Sequence, residues 1–448
     1  MITLILSHSR MLVKENLNIP GLFIDAKSNQ VDVMGLQATL YLNGQECDIR
    51  EIQMLRPRDI EKIEYHDAPS GKYAKDKLVV NFITKQYRYG GYVQADGLQT
   101  IGYDHGDYNV VTNYVKGNNS YTVFAGANYS HVDGTETWNN ENYQFPQSLF
   151  DRESYSKNSY RNHQEYMQFR YQNQKGKRYW VGKFTLVNLS TPRNASSGFA
   201  KESTETDVFS NIRKKSLSPK IDLNANLPLS KNQTLILGVH GKYSANSYHR
   251  LYQEQPFETM TDEDEKALSF QLSAIYNYFS QKHSLSMELF HYHDVWNADY
   301  SGNCELWQHL WKGESLAFFS YNFQASRRLS LKTRIGLDWL QYHLHGDNSF
   351  SQLSPRINTN VQYQLNKGML LWSFNFVNSN HGMDIINRAM IQVNSHMMEK
   401  GMPELKKSHD INTYLSISYK HLRTQETDSY LVCRLMLEKN NYKKEYNI

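Results

Sequence analysis

A two-residue hydrophobic period returns, segment after segment, from Tyr89 to Tyr419, and it limits what this chain can fold into more than any other feature. Tyr121, Val123, Ala125, Ala127 and Tyr129 alternate with Thr122, Phe124, Gly126, Asn128 and Ser130. Leu235, Leu237, Val239, Gly241 and Tyr243 alternate with Thr234, Ile236, Gly238, His240 and Lys242. Leu331, Thr333, Ile335, Leu337 and Trp339 stand opposite Lys332, Arg334 and Asp338, and Ile411, Thr413, Leu415, Ile417 and Tyr419 stand opposite Asn412, Ser416, Ser418 and Lys420. Successive side chains of a strand point to opposite faces, so each run has one apolar and one polar face. Each run is about ten residues long, the length a tilted membrane-crossing strand needs. One segment is ambiguous: Leu268, Phe270, Leu272, Ala274, Tyr276 and Tyr278 alternate, yet Leu268, Leu272, Ile275 and Phe279 also fit a helical stripe behind the acidic run Asp262 to Glu265. Its neighbours on both sides have period two, which favours a strand.

No stretch of the 448 residues approaches the roughly 20 apolar residues of a spanning helix, which excludes a helical membrane protein but not a β-barrel. With 49 Lys and Arg against 45 Asp and Glu, the net charge of +4 gives no reason to expect a nucleic-acid partner. The aromatic excess is mostly tyrosine, 32 Tyr against 19 Phe and 7 Trp. A side chain with an apolar ring and a polar tip suits the interfacial girdles of an outer-membrane barrel, or a Tyr-rich soluble β protein. Cys47, Cys304 and Cys433 lie far apart and form no disulfide framework or ligand pattern. Met1 to Leu6 is apolar, but Ser7, His8, Ser9 and Arg10 interrupt it before it reaches the length of a signal peptide.

Connections differ in length. Short ones at 116–120, 173–177, 280–283 and 366–368 alternate with long polar excursions near 133–160, 191–210, 247–265, 297–312 and 379–408, the layout of an outer-membrane barrel. Residues 1–86 read differently. Ala38 to Leu42 is a strand ending at the turn Asn43-Gly44. Asp48 and Glu51 frame a capping box for a short helix carrying Ile49, Ile52 and Leu55. Residues 56–59 break it, Ile60 to Tyr65 is a strand, residues 68–71 turn, and Leu78 to Thr84 is a β-branched strand, giving a small β-α-β-β module.

Four segments of that module, Leu40 to Gly44, Leu55 to Glu64, Pro69 to Tyr73 and Val80 to Lys85, resemble in order and spacing the second half of the plug domain of TonB-dependent outer-membrane receptors. The likeness is to the Bacteroidetes-type outer membrane β-barrel group. Leu353 to Arg356 and Gly401 to Lys406 resemble its barrel motifs. The resemblance implies a mainly β fold: a transmembrane antiparallel β-barrel with a partial α/β plug over 1–86 and the barrel over 87–448. It implies residence in the outer membrane, contact with its lipid, binding or uptake of a small solute such as an iron chelate or an oligosaccharide, and a TonB complex as energy-coupling partner. About sixteen strand candidates, against the 22 that such barrels have, lead to the expectation that the chain is truncated at both ends, without a TonB box or the first plug half.

The resemblance marks Asn43, Gly44, Pro57, Pro69, Ser70, Gly71, Lys72, Tyr73 and Asn81 as plug-motif residues, and Pro355, Arg356, Gly401, Pro403, Leu405 and Lys406 as barrel-motif residues. Pro69 and Gly71 read as turn formers, and Lys72, Tyr73 and Lys75 as groups facing a solute or simply as exposed loop residues. The pairs His291/His293 and His343/His345 each place two imidazoles on one strand face, where they could share a metal or sit at the headgroup level. No nucleophile elbow, Walker loop or HExxH motif appears, so neither an enzyme nor a cofactor is expected. The alternatives are a truncated, non-transporting member of the family, or a β-rich surface binding protein.

Overall fold

The alternation becomes one long antiparallel meander in a computed structural model of the protein. The structure describes residues 4–7, 10–13, 22–25, 30–33, 36–47, 49–53, 55, 59–66, 79–85, 87–102, 104–145, 148–347, 349–366, 368–379, 385–404, 407–419 and 433–436. Five short strands come first: β1 (Leu4–Ser7), β2 (Arg10–Val13), β3 (Leu22–Asp25), β4 (Gln30–Val33) and β5 (Leu36–Gln37). A mixed unit follows, of β6 (Thr39–Leu42), β7 (Gln45–Glu46), α1 (Ile49–Gln53), β8 (Ile60–His66) and β9 (Val79–Thr84).

Then come the long strands β10 (Tyr89–Thr100), β11 (Asp104–Lys116), β12 (Asn119–Phe145), β13 (Ser148–Lys175), β14 (Arg178–Lys201), β15 (Glu205–Ser230) and β16 (Gln233–Glu254). They continue as β17 (Phe257–Phe279), β18 (His283–Gly302), β19 (Leu306–Gln324), β20 (Leu329–Leu344), β21 (Phe350–Leu365) and β22 (Gly368–Ser379). A small hairpin, β23 (Met390–Gln392) and β24 (Met398–Lys400), precedes β25 (Ser408–Tyr419) and β26 (Cys433–Met436).

In the mixed unit the strand order is β7-β6-β9-β8, with β6 and β9 parallel. Leu40, Leu42, Ile52, Val80 and Phe82 form its core, with Ile52 fully buried, so the helix is held by packing rather than by its single turn and a half. Asn43 and Gly44 have φ of 52° and 77°, the doubly positive pair that a tight two-residue hairpin requires. The expected β-α-β-β order is present, and residues 67–78, with their turn, lie outside the described residues.

Strands β10 to β22, β25 and β26 form one 15-stranded sheet in chain order, close to the sixteen expected. Among the described residues its two edges, β10 and β26, do not pair with each other. The ambiguous segment is strand, within β17. On one face an apolar belt runs across the sheet, including Val110, Val123, Met167, Ile221, Leu237, Leu272, Leu289, Leu337 and Leu415, all exposed. This is the face that lipid covers in a transmembrane barrel. At the belt's edge nearest the short turns, Tyr89, Tyr114, Tyr121, Tyr171 and Trp180 touch ring to ring, which is where part of the tyrosine excess goes. Among the described residues no helix is long and apolar enough to cross a membrane.

Four of the five long polar excursions are not loops. The strands run on into 133–145, 148–160, 191–210, 247–265 and 297–312, and β13 alone has 28 residues. Only the fifth excursion is a loop, and it folds back over the opposite, inner face of the sheet. Ile386 joins Leu310, Leu340, Tyr342 and Leu344 in a buried cluster on β19 and β20. Ser395 and His396, at the tip of the β23–β24 hairpin, reach Glu254 at the end of β16 and Glu202 just past β14. One loop touching strands so far apart in the sheet order shows that the inner face is concave.

Candidate functional site

The inner face is where polar side chains and the mixed unit meet. Inward positions of β13 and β14 alternate with belt positions: Gln168 and Arg170 lie between Met167, Phe169 and Tyr171, and Lys183 and Thr185 flank Phe184. Glu51 of α1 accepts hydrogen bonds from Gln168 (2.8 Å) and Tyr166 (3.2 Å). Arg170 donates to the Leu42 carbonyl at 3.3 Å, at the end of β6, and Lys183 donates to the Glu46 carbonyl while lying 3.5 Å from Asp222. All of these wall groups are buried, so the unit is seated by charge-assisted hydrogen bonds shielded from water, which are roughly twice as strong as neutral ones.

Within the unit, three plug-motif residues fix the turn that presents Leu42 to Arg170. Asn81, 1% exposed, accepts from the Gly44 backbone N–H at 2.9 Å and donates to Glu64 at 2.9 Å. Asn43 accepts from the Thr84 N–H and donates to its hydroxyl, both at 2.9 Å. Asn43, Gly44 and Asn81 are therefore brought together, in a positioning role. Pro57, Pro69, Ser70, Gly71, Lys72, Tyr73 and Lys75 lie outside the described residues.

Between the unit and the wall opens a cavity of about 490 Å³. The unit lines it with Glu51, Asp59, Glu61 and Glu64, and the wall with Asn113, Asn119, Gln168, Arg170, Gln172 and Gln174. Carboxylates face amides and the Arg170 guanidinium across it, and apolar side chains such as Leu55, Ile83, Val111, Val115 and Phe124 complete the lining.

Of the residues marked as barrel motif, Arg356, Gly401 and Pro403 lie elsewhere on the inner side of the sheet. Asp338, fully buried, takes the Lys407 ammonium at 2.5 Å and the Arg356 guanidinium at 3.3 Å, and Lys407 also reaches Glu314 at 3.2 Å. Pro403 accepts a hydrogen bond from the Tyr342 hydroxyl at 3.0 Å. Gly401 lies so close to Asn387 that a Cβ would fall 2.3 Å from its carbonyl oxygen, so only glycine fits. Pro355 is on the outer face, in register with Leu337. Leu405 and Lys406 lie outside the described residues. A second buried pair stands nearby: Arg334 donates twice to Glu288, at 2.8 and 3.0 Å, with its guanidinium 3.4 Å above the Phe318 ring.

At the outer rim, Glu254 receives hydrogen bonds from Ser395 and Tyr252 and the charge of Arg152. Burial works against its charge, but these partners outweigh it and hold the carboxyl below its ordinary value. Arg388 of the loop pairs with Asp347, and its hydrogen bond is the main cause that keeps the Asp347 carboxyl low.

Both histidine pairs are on the outer face, and His291 and His293 stand in register with Leu272 and Phe270 of the belt. The His291 and His293 rings are 6.2 Å apart; His291 bonds Ser315, and His293 accepts from the Trp311 indole. His343 bonds Ser349, and His345 packs on Trp307. Among the described residues no three His, Cys, Asp or Glu side chains gather where they could hold a metal. The sequence reading passed over Gln168, Lys183, Glu314 and Lys407. The available signal was parity, since the first two fall on inward positions opposite Phe169 and Phe184.

No protein-family model matches the sequence, and no curated protein does. Solved structures do. The copper transporter OprC aligns with 90% of this chain and 65% of its own length, at 10% identity and a TM-score of 0.54. The alcaligin outer membrane receptor FauA from Bordetella pertussis aligns with 90% of this chain and 63% of its own, at 10% identity and a TM-score of 0.46. This chain thus spans less than two thirds of either. At such identity the match to OprC shows the fold alone, a large antiparallel sheet of the β-barrel type.

Proposed function

We propose that this chain is a receptor-type outer-membrane protein that binds a small polar solute inside its barrel and hands it inward past the mixed unit. The observation that carries the reading is the seating of that unit. An α/β domain is anchored on the polar inner face of a sheet whose outer face is an apolar belt, by Glu51, Arg170 and Lys183. A barrel built this way is closed to free diffusion until those contacts rearrange. The solute class proposed is an iron or other metal chelate, or an oligosaccharide. Energy coupling through a TonB-type complex acting on the plug, and membership of the Bacteroidetes-type group, are proposed from the sequence motifs.

Expression of the chain with an export signal tests the reading. The protein is expected in the outer-membrane fraction, migrating faster on gels before boiling than after, as a barrel resistant to detergent does. Recovery as a water-soluble monomer without detergent would contradict it.

A further inference from the structure

An aromatic cluster stands well beyond the belt, on the strand extensions that replace the expected loops. β12, β13 and β14 place Trp138, Tyr155 and Phe199 in one cross-strand row. Their ring centroids form a compact triangle with sides of 4.5, 5.6 and 6.1 Å, and Trp138 is 68% exposed. Tyr155 and Phe199 are half-buried, and a largely exposed indole packed on two further rings is an unfavourable arrangement for a surface with nothing to cover it.

A bulge decides which way the row faces. Below it, odd-numbered residues of β12 such as Tyr121 and Val123 point outward. The extra residue at Gly134, whose φ is 79°, shifts the parity, so that Trp138 faces the same side as the belt and not the inner face. The row is nonetheless separate from the belt. A polar zone lies between, in which His131 bonds Asp133 at 2.6 Å and Arg161 bonds His131 at 3.1 Å. At about 3.3 Å per residue and a strand tilt of about 40°, Trp138 stands roughly 20 Å beyond Tyr129.

The rows on either side are polar: Glu136, Lys157 and Ser197 below, and Asn140, Glu153 and Lys201 above. Glu136 and Lys157 approach to 3.9 Å. An apolar patch one row deep, fenced by carboxylates, amines and an amide, is too small for a stable protein interface, which needs roughly 800 Å² per partner. It matches a ligand with flat C–H faces and hydroxyls around its edge, which describes a sugar ring.

Position selects the source of the sugar. The cluster faces sideways, on the same surface that meets lipid lower down, and away from the inner face where a solute in transit would pass. We propose that Trp138, Tyr155 and Phe199 form a stacking platform for a saccharide ring carried by a glycolipid of the surrounding outer leaflet. The proposal rests on the outer-membrane reading and adds to it a lateral partner that holds the strand extensions in place.

The test uses the full chain in detergent micelles, after its detergent-dependent solubility and heat-modifiable migration have been checked. The probes are lipopolysaccharide bearing its core saccharide, lipid A without core sugars, and free maltohexaose. Binding of the core-bearing glycolipid is expected to exceed that of lipid A, and Trp138→Ala or Phe199→Ser is expected to weaken it about three- to tenfold, the range of one aromatic contact, with migration unchanged. Equal binding of lipid A and the core-bearing form, or an unchanged affinity in both variants, overturns the proposal. So does maltohexaose competing at the platform as well as the core-bearing glycolipid, which would assign it to soluble sugar. A chain that is soluble without detergent overturns the outer-membrane reading instead, before any glycolipid is added.

Discussion

Replacing Lys407 by methionine removes the fully buried cation from a largely buried charge cluster. Its ammonium and the Asp338 carboxyl are both fully buried, 2.5 Å apart, and Glu314, about a tenth exposed, lies 3.2 Å away. Deleting one partner of such a group leaves the others charged and desolvated, which costs about 3–5 kcal/mol. Arg356 stays within 3.3 Å of Asp338 and offsets part of this, so the lower end of the range is expected, about 3 kcal/mol or roughly a hundredfold in the unfolding equilibrium. Urea titration in detergent micelles, followed by loss of the fast-migrating form, measures it. The triple variant Lys407→Met, Asp338→Asn, Glu314→Gln removes the stranded charges and is expected to recover at least half of the loss. A single variant within about 0.5 kcal/mol of the wild type would refute the reasoning, since surface ion pairs are worth no more than that. A triple variant as unstable as the single one would refute it too.

Three further outcomes are expected. Asn81→Ala strands the buried Gly44 N–H, at a cost of about 1–3 kcal/mol, and hydrogen exchange over 39–46 is expected to accelerate accordingly; unchanged exchange would remove Asn81 from its clamping role. Asp347 and Glu254 both have carboxyls held below their ordinary values by loop contacts, so they contribute stability that is complete above about pH 4 and is lost as pH falls through their folded values. Protection of residues 385–404 in hydrogen exchange is therefore expected to fall below about pH 4, and the paired variant Asp347→Asn, Glu254→Gln is expected to lose that acid limb; an identical limb in the variant would contradict the assignment. Leu289→Arg, on the belt, is expected to cost about 2–4 kcal/mol in bilayers if it sits at mid-depth, and recovery of the variant in the membrane at wild-type yield and stability would place Leu289 outside the lipid.

Much of the architecture can be read from the residues alone, and particular elements show why. Leu235 to Tyr243 and Ile411 to Tyr419 alternate because one face is an exposed apolar belt and the other a polar inner face, and that contrast is written in single residues. Asn43-Gly44 announces its turn because few other pairs accept two positive φ values. The strand extensions left no such mark. In β13 only Met167, Phe169 and Tyr171 belong to the apolar belt, while the stretch from Ser148 to His163 is mostly polar on both faces and looks like loop. What holds it extended is ladder pairing with β12 and β14, to which hydropathy is blind. The ionic partners were hidden for a different reason. Arg170 finds Leu42, and Lys407 finds Glu314, across 128 and 93 residues of chain, and parity tells which way a side chain points but not what it meets. Each histidine pair lies on one strand face. The sequence leaves open which face, and it is the outer one, beside Trp311 and Trp307.

The central claim is that one face of this sheet meets lipid while the other is a polar interior, and a label scan along β17 tests it most directly. In a background with its three cysteines replaced, single cysteines at 268 to 273 would carry a fluorophore, with a quencher attached to the lipid tails of the bilayer. Leu268, Phe270 and Leu272 are exposed on the belt, whereas Ser269, Gln271 and Ser273 point inward and are half-buried. The account predicts strong quenching at 268, 270 and 272 and little at 269, 271 and 273. Quenching that repeats every three to four residues would restore the helix that this segment's stripe also fits, and uniform quenching by an aqueous agent would contradict membrane insertion altogether.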